Sequence, residues 1–93
     1  MSLSADSAET LALTALGWLV GNDELLPVFL GSTGAASQDL RTNAGDPAFL
    51  ASVLDFLLMD DSWIIAFCDA HSVPYAQPAQ ARAVLAGGEM HWT

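Results

Sequence analysis

Glycine, proline and helix-capping residues cut this chain into short apolar segments, and within each segment the apolar residues recur at helical rather than strand spacing. At about 100° per residue, Leu11, Leu13, Leu16, Trp18, Leu19 and Val20 spread over most of one helix, as in a rod surrounded by protein. Phe49, Leu50, Val53, Leu54, Phe56, Leu57 and Leu58 fill a wide arc of another and leave Ala48, Ser52, Asp55 and Met59 opposite. No stretch alternates apolar and polar residues for the length of a strand. The pattern predicts an all-α fold, a compact bundle of five or six short helices with these two at its core. With 93 residues there is room for one core, so the prediction is a single domain over residues 1–88 followed by a C-terminal tail, 89–93. A hydrophobic content of 53% is enough to offset the ordering entropy of the chain, which excludes disorder.

Local signals set the expected helix limits. Asp6 with Glu9 three residues on has the pattern of a capping box, and Gly21 ends that first helix. Asn22, Asp23 and Glu24 suit the start of a second helix, about Asp23–Leu30, which Gly31 would close. Ser37 is placed to cap a short exposed helix, SQDLRTN, in which Leu40 is the strongly apolar residue. Gly45-Asp46-Pro47 marks the start of the fourth helix, with Asp46 as cap and Pro47 in the first turn. Asp60-Asp61-Ser62 separates it from a fifth, Ser62–His71, which Val73-Pro74 stops. A sixth, from Gln77-Pro78 to Leu85, ends at Gly87-Gly88, and Met90 and Trp92 beyond it have no predicted element to sit on.

Charge removes several classes of function. There are 11 acids against 2 bases, Arg41 and Arg82, for a net of −9, and no lysine. A nucleic-acid backbone or an anionic lipid surface requires clustered cations, so the field of this chain repels both. The opening MSLSADSAET carries acids where an export signal carries bases, and Leu11–Val20 is too short to span a bilayer, so neither export nor membrane anchoring is expected. A lone cysteine, Cys68, offers no intrachain disulfide and fits a reducing compartment, the cytoplasm.

The run LRTNAGDPAFLASVLDFLLMDDSWIIAFCDAH, followed by PAQARAVLAGG, resembles a family of short bacterial proteins known as a domain of unknown function. Its most specific part is the block from GDPAFL to VLDFLLMDD. The resemblance implies a small helical cytoplasmic bacterial protein, and it brings no catalytic, cofactor or ligand residues with it.

Cys68 and His71 lie three apart on the predicted fifth helix, the spacing of a thiolate with its base or of half a metal site that Asp69 and His91 would complete. Against this, Cys68 sits among Ile64, Ile65 and Phe67 in an acidic chain, which favours a protonated, structural thiol. The acids match no calcium loop, and capping explains Asp60-Asp61 and Asp23-Glu24. Neither a phosphate-binding glycine loop nor a nucleophile elbow is present. No catalytic residue, metal ligand or cofactor is therefore expected, and the chain reads as a non-enzyme. A second alternative is a helix-turn-helix in which Gln38, Arg41 and Asn43, within residues 37–43, read base edges, but the missing phosphate contacts argue against it.

What the pattern favours is binding to protein. Ser7, Thr10, Thr14, Gly17 and Gly21 form a small-residue stripe along the first helix. Such a stripe admits a second copy of the helix, seats a neighbouring helix of the same fold, or faces water. A chain so apolar has surface left over after one small core is built. The expected function is that of an interaction or regulatory protein, self-associating or bound to another protein, through Thr10, Thr14 and Gly17 or around Trp18 and Trp92, since aromatic residues are enriched at contact centres.

Overall fold

The computed structural model describes residues 3–90, which form helices α1 (Ala5–Val20), α2 (Leu25–Thr33), α3 (Ser37–Asn43), α4 (Pro47–Leu58), α5 (Asp61–His71) and α6 (Gln77–Met90), with no strand among the described residues. The fold is all-α and compact, with a Cα radius of gyration of 12.5 Å.

The helix starts at α4 and α5 follow the sequence closely. The Asp46 carboxylate accepts from the Ala48 N–H at 3.0 Å, and Asp60 accepts from the Ser62 N–H at 2.8 Å, each holding an N–H that has no partner in the first turn. Elsewhere the caps are displaced. Ser4, not Asp6, caps α1, its hydroxyl accepting from the Ser7 N–H at 3.0 Å. At α3 Ser37 is already helical, and Asp39 reaches back to the Ala36 N–H at 2.9 Å. Helix α2 passes through Gly31 and ends at Gly34, whose φ of 74° is left-handed and costs glycine nothing. Helix α6 continues through Gly87 and Gly88 to Met90, farther than its double glycine suggests, because glycine permits a helix to stop without compelling it.

Three helices, α1, α4 and α6, pack on one another, so α6 joins the expected core pair as an equal third member. Small residues explain the approach: Ala8, Ala12 and Ala15 of α1 and Ala81 of α6 are all fully buried in one cluster, and side chains this short let backbones come close. Leu19, Leu50, Leu54 and Leu57 fill the same core. Aromatic contacts attach the shorter helices. Phe29 of α2 meets Phe49 and Phe56 of α4 edge-on, with ring centroids 6.2 and 5.3 Å apart, and Phe56 stacks on Trp63 of α5 at 4.6 Å. Trp18 of α1 packs edge-on against Phe67 of α5.

The scatter of apolar residues around α1 suggested a rod enclosed on all sides. In the structure one arc, Ala8, Leu11, Ala12, Ala15, Leu16 and Leu19, is buried, while Leu13 and Val20 are 45% and 47% exposed. The neighbouring helices cover one side of α1 and leave the other open.

Candidate functional site

The open side of α1 has an order set by helical geometry. Advancing around the helix at about 100° per residue, Leu16, Val20, Leu13 and Gly17 come first, then Gly17, Gly21 and Trp18. Gly17 stands on the crest between the two sets. A Cβ built on it would meet nothing within 4 Å, so no neighbouring part of the described fold lies over it.

On one side of the crest is an apolar groove of about 410 Å³. Leu13, Leu16, Gly17 and Val20 form its α1 wall, and Leu26, Leu40, Arg41 and Ala44 its far wall. Leu40 is buried and Leu26 and Ala44 half-buried, whereas Arg41 is exposed and makes no ion pair among the described residues. On the other side is a notch of about 400 Å³ between Gly17, Trp18, Gly21, Asn22, Asp23 and Glu24. Here the Asn22 carboxamide oxygen accepts from the N–H groups of Glu24 and Leu25, at 3.1 and 3.0 Å, and so caps α2. That leaves the carboxylates of Asp23 and Glu24 exposed, with no hydrogen bond among the described residues. The groove thus carries a cation at its outer edge and the notch two anions.

The small-residue stripe divides across this surface. Gly17 belongs to both groove and notch. Thr10 and Thr14 line a different depression with Leu3, Asp6, Ser7, Leu11, His71, Val73 and Gln77. Thr14 is half-buried and its hydroxyl donates to the Thr10 carbonyl at 2.9 Å, a bond within its own helix. Trp18 is half-buried against Phe67 and lines the notch, so part of its aromatic surface is already used inside the fold. Trp92 lies outside the described residues. The groove residues Leu13, Val20, Leu26, Leu40, Arg41 and Ala44 were not singled out from the sequence. The signal that could have found them was the position of Leu13 and Val20 on α1, opposite the arc of Ala8, Ala12 and Ala15.

The other candidates separate. Cys68 is buried, its thiol donates to the Pro74 carbonyl at 3.7 Å, and burial together with the charge of Asp69 raises its pKa, so the group is a thiol at neutral pH. The Asp69 carboxylate is engaged by the Tyr75 hydroxyl at 2.7 Å. His71 is exposed, with its ring 5.3 Å from that of Phe67. His91 lies outside the described residues, and among the described residues no three of His, Cys, Asp and Glu are gathered as metal ligands. On α3, Gln38 and Arg41 are exposed and Asn43 half-buried. Arg82 of α6 pairs with Asp55 of α4.

A protein-family model described as a protein of unknown function, DUF3572, matches residues 5–88. No curated protein and no solved structure matches the chain. Among the described residues no helix is long and apolar enough to cross a membrane.

Proposed function

The chain belongs to the DUF3572 family, whose function is unknown, and from that starting point we propose that it acts by binding, as a small non-catalytic interaction or regulatory protein of the bacterial cytoplasm. The observation that carries this reading is the exposed crest of α1. Leu13 and Val20 stand nearly half-exposed around a glycine with open space above it, beside a groove lined by apolar side chains from α1, α2 and the α3 segment. Apolar surface of this kind gains free energy when a partner removes it from water. The protonated state of Cys68 fits a structural thiol and weakens the alternative of a cysteine nucleophile.

Site-specific photo-crosslinking in cells tests the reading. A photoreactive residue at Leu13 is expected to give a defined protein adduct, and the same group at the exposed Ala48 of α4 none. An absence of adducts from position 13 would overturn the assignment of this face as a contact surface.

A further inference from the structure

The geometry points to a second copy of this chain as the occupant of the α1 crest, in a two-fold dimer with the two α1 helices parallel. This deepens the reading of that face as a contact surface and rests on it. The argument begins with charge. Arg41 lies on the groove side of Gly17, and Asp23 and Glu24 lie on the notch side. When two identical faces meet across a two-fold axis running along α1, the flanks exchange, and the groove side of each copy faces the notch side of the other. Arg41 of each protomer then approaches the acidic pair of its partner, twice by symmetry. A two-fold axis across α1 would make the helices antiparallel and set Arg41 against Arg41, so the charges select one orientation.

Two further features agree. The chain carries 11 acids, yet the residues lining the groove include none, so an equally acidic copy can come near on this side. Gly17, with no atom within 4 Å of its Cβ position, lets one helix backbone approach the other, which sets Leu13 and Val20 of each copy toward the Trp18 side of its partner.

Sedimentation equilibrium with paired variants decides the matter. The wild-type chain is expected to dimerise. Gly17→Phe places a ring in open space, so the monomer keeps its helical circular dichroism and thermal midpoint while dimer affinity drops by at least about tenfold. In about 0.15 M salt, where the overall repulsion is screened, Arg41→Glu alone and the double change Asp23→Arg with Glu24→Arg are each expected to weaken self-association. Mixed in equal amounts, the two restore it as a heterodimer with both arms matched, one as in the wild-type chain and one with its charges reversed. A monomeric wild-type chain that still gives adducts of another mass from position 13 would overturn the dimer and leave the contact surface standing. A monomer that gives no adducts would remove both. A dimer indifferent to Gly17→Phe, or charge variants that fail to recover on mixing, would place self-association on another face.

Discussion

Single side chains in this protein are assigned less by their chemistry than by what surrounds them. Cys68 illustrates this: its distance from His71 along the helix suits catalysis, but the thiol is buried and bonded to the Pro74 carbonyl, while His71 is exposed. Burial, and after it the negative charge of Asp69, raises the thiol above its ordinary pKa of 9.0. The folded chain therefore holds this proton more tightly than the unfolded one. The resulting stability is fully present below the unfolded value and is lost as pH rises through the folded one. Urea unfolding followed between about pH 7 and pH 10 should show a level stability that declines above about pH 9. Cys68→Ala should begin lower, having lost packing, and stay level until Tyr75, also raised, through its hydrogen bond to Asp69 and the charge on that group, adds its own decline. Equal slopes in the two proteins above pH 9 would refute the assignment.

At the scale of elements, starts were more legible than ends. Asp46-Pro47 and Asp60 define their helices because a carboxylate at the cap and a proline at the first helical position each satisfy a local geometric need. The end of α2 depends on which glycine turns left-handed, and the sequence there offers both Gly31 and Gly34. The structure uses Gly34, with its N–H bonded to the Leu30 carbonyl at 2.9 Å, and leaves Gly31 inside the helix with space at its Cβ position. The two glycines should therefore respond in opposite directions. Gly34→Ala forces an alanine to positive φ and should destabilise the protein by about 1–2 kcal/mol. Gly31→Ala removes glycine's excess freedom in the unfolded chain and should stabilise it by up to about 1 kcal/mol. Thermal unfolding of both proteins reads the signs directly, and the same sign for both would contradict the observed helix end. The open side of α1 was hidden for a related reason. Periodicity records that Leu13 and Val20 are apolar, but whether they are covered depends on where α2 and α3 come to rest, which is a tertiary outcome. The small-residue stripe was visible as a pattern, and its division between two depressions was not, because Thr10 and Thr14 look toward His71 and Gln77 only once α5 and α6 are in place.

For the molecule as a whole, net charge and the proposed dimer are in tension, and their magnitudes decide the salt dependence. Each copy carries −9 and measures 34 × 27 × 20 Å along its principal axes, which puts the centres of two packed copies roughly 25 Å apart. Coulomb repulsion between two such charges in water is on the order of 10 kcal/mol before screening. With a Debye length of about 30 Å at 0.01 M salt, roughly half of that survives, whereas at about 8 Å in 0.15 M salt it falls to around 1 kcal/mol or less. The two Arg41 contacts, being exposed, contribute at most about 1 kcal/mol each and weaken over the same range. Repulsion outweighs these contacts, so dimer affinity should rise with salt between about 0.01 and 0.15 M, opposite to an interface held chiefly by ion pairs. The matched-charge mixture of Arg41→Glu with the Asp23→Arg and Glu24→Arg protein should respond less steeply. Arg41→Glu adds two negative charges to one copy and the paired arginines remove four from the other, so the product of the two net charges drops from that of the wild-type pair. Sedimentation equilibrium at the two salt concentrations measures both slopes. An affinity that falls with salt in the wild-type protein would mean that local ion pairs, rather than apolar contact along α1 working against the overall charge, hold the two copies together.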